Sequence, residues 1–239
     1  MTRLASSLLV VLLLAPAAAR AASRADALAG RIPPISGQLY SKAGRLEVTP
    51  TLNLSLNDAF FSKVLFGGKL GWHFTEHLSV HGAFAAGLND ETASTSVCTS
   101  TGCRPAEPAQ LYQVPGNLRS IGSVEVGFSP VYGKLNVFAE KVIHFDLSLL
   151  GGADWITHRE VLPATSANAG ETPGNRSTFG AHVGVGARIF MGRGFALRME
   201  VKDYLYRVPV LGETTLQNQL FTEIGLSVFL PSTGRRDRP

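Results

Sequence analysis

From Arg45 to Leu56 the chain alternates strictly. Even positions read Leu46, Val48, Pro50, Leu52, Leu54 and Leu56, and odd ones Arg45, Glu47, Thr49, Thr51, Asn53 and Ser55. A β-strand sends successive side chains to opposite faces, so this segment has one apolar and one polar face. It exceeds the usual five or six residues of a soluble strand and can cross a bilayer at a tilt. The period recurs in Lys63–Phe74, Leu78–Leu88, Phe179–Ile189, Phe195–Lys202 and Leu220–Leu230. The middle is less regular: Ile121–Phe138 predicts a long strand kinked at Ser129-Pro130, and Phe145–Trp155 its successor, with Ala139–His144 as a turn or short helical link. Eight strands result, at about 44–57, 62–75, 78–89, 119–138, 144–157, 178–191, 195–207 and 218–230.

The connections alternate in length. Those at 75–77, 139–143 and 192–194 are short, whereas 90–118, 158–177 and 208–217 are long and polar; the first outer loop, near Asn57-Asp58, is brief. Short turns at one end and long loops at the other predict an all-β, eight-stranded antiparallel up-and-down transmembrane barrel. The long loops, including the Asn168–Asn175 stretch, then face outward. A soluble periplasmic ligand-binding barrel has the same period with apolar residues inside. The polar face here favours the membrane form, being rich in Gly, Ala and Ser with isolated charges of both signs, as a narrow interior requires. We expect Arg45, Glu47, Lys69, Glu125, Arg188, Arg198, Glu200, Lys202 and Glu223 to form a paired network in the lumen, where Lys63 also points. The other face carries Leu, Val, Phe and Trp, with Phe74, Phe128, Trp155, Phe179 and Phe195 near strand ends, where interfacial aromatics belong.

Composition fits this reading. The chain has 239 residues, 45% hydrophobic and 17% charged, with 25 glycines; its mean hydropathy is +0.13. No apolar run of 18 or more residues follows the N-terminus, so helical membrane spans are not expected. The net charge of +4 includes Arg3 and Arg20; the only later basic cluster is Arg235, Arg236 and Arg238, so nucleic acid is not an expected partner. Arg3, the apolar Leu4–Pro16 and Ala19-Arg20-Ala21 read as a secretory signal peptide over residues 1–21. Residues 22–43 follow as a periplasmic lead-in, 44–230 as the barrel and 231–239 as a polar tail. The expected location is the cell outer membrane.

Cys98 and Cys103, linked by Thr-Ser-Thr-Gly, predict a disulfide in an oxidising compartment, closing a loop worth roughly 2 kcal/mol. His73-Phe-Thr-Glu76-His77 matches H-x-x-E-H, a zinc-protease motif that needs a helix. Here it ends a β pattern, and the series His73, His77, His81 lies where the period is two, so no metal and no cofactor is assigned. Asp154, His158 and Glu160 lie near an outer strand end and are the candidates for a lipid-modifying active site, against which a solvated loop base is preferred. No catalytic residue is assigned. A narrow pore is the other functional alternative, although eight strands enclose room for side chains rather than a wide channel.

Glu223, Gly225, Val228 and Leu230 in the last strand resemble the signal by which barrel-assembly machinery recognises its clients, here followed by residues 231–239. More broadly, Ser55–Phe61, His73–Leu78, Pro130–Leu135, His144–Gly152, Asp203–Tyr206 and Leu216–Leu220 resemble small outer-membrane β-barrel domain proteins of Gram-negative bacteria, particularly the myxobacterial type. The resemblance implies an eight-stranded barrel of the OmpA/OmpX kind. It also implies outer-membrane lipid, assembly machinery and periplasmic chaperones as partners, and it brings no reaction with it. The expected role is structural or interactive, with loops 90–118 and 158–177 presenting a surface to an unidentified ligand.

Overall fold

In a computed structural model the protein is described over residues 40–58, 61–91, 95–106, 117–137, 141–161, 173–192, 194–210 and 213–230. The expected signal peptide, most of the expected lead-in, the expected tail and the middles of the segments expected as loops over 90–118 and 158–177, including Asn168, lie outside these residues. Among the described residues ten strands form: β1 (Leu46–Ser55), β2 (Phe61–His73), β3 (Leu78–Glu91), β4 (Ser96–Thr99), β5 (Gly102–Pro105), β6 (Leu118–Val137), β7 (Lys141–Arg159), β8 (Asn175–Phe190), β9 (Phe195–Val210) and β10 (Glu213–Leu230). Eight of them close antiparallel into a barrel in the order β1-β2-β3-β6-β7-β8-β9-β10, with β10 returning to β1. Each contains the nine to eleven residues a tilted strand needs to span a bilayer.

The alternation becomes an inside and an outside. Phe66, Leu88, Val183 and Phe179 stand on the outer wall, Leu88 74% and Phe179 73% exposed, while Lys69 and Lys202 are 2% and 1% exposed inside. A water-soluble barrel has the opposite polarity. An apolar exterior, a charged interior and a closed sheet without edges define a transmembrane β-barrel, whose backbone polar groups are all satisfied within the sheet. Trp72, Phe74, Phe128 and Phe195 lie towards the short-turn end; Trp155 and Phe179 pack edge-to-face at the long-loop end, ring centroids 4.7 Å apart. These are the two interfacial girdles.

The expected kink in β6 is a bulge. Its pairing with β7 shifts register between Phe128 and Val131, around the proline that cannot donate to a ladder. The expected loop 208–217 is a correction. β9 and β10 pair up to Val210↔Glu213, so most of this segment is hairpin. Val208 is buried, and the strand-forming Thr214 and Thr215 continue the ladder opposite it. Within the loop expected over 90–118, β4 and β5 form a separate two-stranded sheet with Cys98 directly opposite Cys103, joined by a disulfide.

Candidate functional site: the charged lumen

The inward-facing positions of β9 alone show how the lumen is layered. From the short-turn end they read Ala196, Arg198, Glu200, Lys202, Tyr204, Tyr206 and Val208, all buried. Small and aromatic residues occupy the inner end, charges the centre, and aromatic and aliphatic residues the outer end. The other strands follow suit. Phe190, Ala196 and Phe229 pack with Tyr40 and Tyr132 at the inner mouth. Leu65, Leu118, Ile121, Ile156, Tyr204, Tyr206 and Phe221 belong to one cluster at the outer end.

Among the described residues the central layer holds six carboxylates, Glu47, Glu125, Asp146, Asp154, Glu200 and Glu223, and five basic side chains, Lys42, Lys69, Arg188, Arg198 and Lys202, all buried. Lys69 meets Glu125 at 2.9 Å, Glu200 at 2.6 Å and Glu223 at 2.7 Å. Lys202 contacts the same three acids at 2.8, 2.9 and 3.1 Å. Arg198 donates to Glu200 and reaches Glu47 at 3.3 Å and Glu125 at 3.4 Å. Arg188 donates to Glu47 at 3.0 Å and to Asp146 at 2.9 Å, and Asp146 also accepts from Lys42. His182 lies between Asp154, 2.8 Å from Nδ1, and Glu125, 3.2 Å from Nε2. When both nitrogens donate, the ring adds a further positive charge among these carboxylates. Space for these side chains comes from inward glycines on neighbouring strands. A Cβ on Gly152 would lie 2.7 Å from the His182 ring, and one on Gly71 2.1 Å from that of His81.

Eight of the nine residues expected in the network meet here. Arg45 is the correction: it sits at the inner rim, donating to the carbonyls of Phe229 and Leu230 with its guanidinium 5.4 Å from the Phe229 ring centroid. One residue ahead of β1, it reaches across to the end of β10 instead of into the lumen. Lys63 lies in a separate outer knot, donating to Gln219 at 2.8 Å and to the carbonyl of Phe61 at 3.0 Å. Of the β10 assembly positions, Glu223 pairs in the lumen, Gly225 packs against Thr49, and Leu230 faces outward. Lys42, His73, His81, Asp146, Asp154 and His182 also belong to the network, beyond the residues expected there.

The H-x-x-E-H residues separate in space. His73 points into the lumen, 2.7 Å from Glu47; His77 Nδ1 lies 2.8 Å from the Ser129 carbonyl. Glu76 accepts from the backbone N–H groups of Lys42 and Ala43 at 2.9 and 3.1 Å and from the Ser41 hydroxyl at 2.6 Å. Burial pushes the Glu76 carboxyl up, but these hydrogen bonds outweigh it and hold its pKa below the ordinary value. They tie the segment before β1 across the inner mouth, where Tyr40 stacks on Phe190 with centroids 5.3 Å apart.

Glu47, His73 and His81 offer ligand atoms within 4.8 Å of one another. Helical spacing could not show this pair; the β2–β3 hairpin brings His73 and His81 together by setting His73 opposite Ser79 and Gly71 opposite His81. Arg188 and Arg198 already hold the Glu47 carboxylate, and Arg198 Nη1 lies 3.4 Å from His81 Nε2. A divalent ion would have to displace two guanidiniums from that carboxylate, so the geometry is that of an ion-pair node. The candidate catalytic trio is likewise engaged elsewhere. Asp154 holds His182, His158 Nδ1 lies 3.0 Å from the Arg159 carbonyl beside the Tyr206 ring, and Glu160 pairs with Arg176 at 3.1 Å on the exposed rim.

No protein-family profile matches the chain, and no curated protein does. Among solved structures, the chain is similar to the N-terminal β-barrel domain of Pseudomonas aeruginosa OprF, at 9% identity over 79% of this chain and 98% of that one, with a TM-score of 0.48. The outer membrane protein OprG from Pseudomonas aeruginosa is 12% identical over 80% and 98% of the two chains, with a TM-score of 0.43. Neisserial surface protein A is 9% identical over 79% and 97%, with a TM-score of 0.40. The barrel's own geometry defines its class: a small eight-stranded transmembrane barrel of the outer-membrane type.

Proposed function

We propose that this protein is a Gram-negative outer-membrane resident whose barrel is a closed, non-conducting and non-catalytic anchor for outer-face segments that bind a surface partner. The observation that carries this reading is the filled lumen. A conducting path needs a continuous column of water, whereas here apolar layers cap both ends of an ion-paired centre. An active site needs an acid, base or nucleophile turned towards substrate, whereas the lumen acids and bases are turned towards each other. The outer-face segments are built for presentation: the disulfide-closed β4–β5 hairpin, and the β7–β8 connection braced by Glu160 N–H donating to the Gly174 carbonyl at 2.9 Å. Export by the N-terminal segment, and delivery by chaperones and assembly machinery reading Glu223, Gly225, Val228 and Leu230, belong to the same proposal. Planar-bilayer recording of the refolded protein tests it. Silent membranes are expected, and reproducible single-channel steps would favour the narrow-pore alternative.

A further inference from the structure

On the outer wall a groove of about 500 Å³ crosses β7, β8 and β9 and reaches β10. Its sides are Leu147 and Leu149, Val185, and Met199 and Val201, between 37% and 56% exposed; Pro130 and Thr222 also line it. Its floor is shallow-sided because Ala187 offers only a methyl, while Ser148, Gly186 and Glu200 turn inward: Glu200 pairs with Lys69 and Lys202, and a Cβ on Gly186 would meet Ser148 and Glu200. The β6 bulge places Pro130 at its border. The volume falls within the range of small-molecule sites, which is large for a wall expected to be smoothly convex.

Position names the occupant. On β8 the groove residues Val185 and Ala187 lie between Phe179 at the outer girdle and Met191 beside the inner turn. At that depth a bilayer offers hydrocarbon, and the groove offers almost nothing polar with which to recognise a headgroup. We propose that this groove is a retained-lipid site that holds one acyl chain of a membrane phospholipid. The proposal is independent of the role of the outer-face segments. Burying methylenes against Leu149, Val185 and Met199 gains dispersion contacts that a smooth wall denies to the surrounding chains.

The test uses the full protein refolded into phosphatidylcholine vesicles containing a phospholipid with a mid-chain diazirine. After photolysis, mass spectrometry maps the adducts. The site predicts several-fold more adduct on Leu147, Leu149, Val185 and Met199 than on Phe66, Leu70 and Phe84 of the opposite wall. Ala187→Phe, which fills the floor from the lipid side, should remove that excess and leave the opposite wall unchanged. Val201→Trp serves as a second filling variant, and heat-modifiable gel migration confirms that each is folded. An even distribution around the belt, or an excess insensitive to both substitutions, would overturn the proposal.

Discussion

Glu125 touches more of the lumen than any one strand could arrange. It faces Lys69 and Lys202, lies 3.4 Å from Arg198, and takes a histidine on each oxygen, His81 at 3.3 Å and His182 at 3.2 Å. Five partners from β2, β3, β8 and β9 converge on one carboxylate of β6. Replacing it by Gln keeps the shape and leaves buried cations short of a counter-charge, a loss of about 3–5 kcal/mol for such a broken pair. A correspondingly lower urea midpoint in vesicles is the expected outcome. Most of these partners were legible as odd or even members of an alternating run. Asp146 and Asp154 were not, because along β7 the inward Leu150 beside the outward Leu149, followed by Gly151-Gly152, blurs the contrast between the two faces. The β6 bulge changes parity only beyond Phe128, where Ser129 and Tyr132 face inward with Pro130 and Val131 exposed between them, so Glu125 on its near side was still legible. The outer apolar layer was missed for a different reason: Tyr204, Tyr206 and Phe221 continue the polar face in register, and only the closed barrel shows that the face becomes apolar towards its outer end.

Elements differ in how tightly they are bound to the barrel. The segment before β1 is held at its backbone by Glu76, whose folded pKa is depressed. A depressed carboxylate stabilises above its unfolded pKa and ceases to do so as pH falls through its folded one. The clasp should therefore persist from neutral pH into the ordinary carboxylate range and loosen only below it, at the depressed pKa of Glu76. Hydrogen exchange at the Lys42 and Ala43 amides reads this directly. Glu76→Gln should speed their exchange at neutral pH and remove the acid transition; unchanged protection would contradict it. Among the described residues β4 and β5 pair with each other in a sheet separate from the barrel, so their disulfide serves the hairpin first. Substituting Cys98 and Cys103 together by Ser should leave the barrel's urea midpoint within about 0.5 kcal/mol of wild type while raising proteolysis between residues 95 and 106. The strand count and the short-turn, long-loop rhythm were legible because period two survives wherever one face meets lipid. The β9–β10 extension was not, since outside the bilayer its residues alternate weakly: Thr214, Thr215 and Leu216 are all exposed.

At the scale of the whole molecule, one inversion organises the rest. The large apolar side chains face outward, so the hydrophobic effect holds the barrel in a bilayer and leaves the interior to charge pairing and aromatic packing. A filled lumen, an anchor role and a wall groove that holds a lipid chain all depend on that inversion. The chain has two tryptophans. Both lie on the outer wall, Trp72 45% and Trp155 53% exposed, and they belong to opposite girdles. Tryptophan fluorescence of the refolded protein in vesicles of brominated lipids therefore reports directly on which way the barrel faces. The account predicts strong quenching of both, greatest for bromines near the headgroup and weaker for those near the chain ends, with Trp72→Phe and Trp155→Phe separating the two signals. Fluorescence indifferent to bromine at every depth would contradict it.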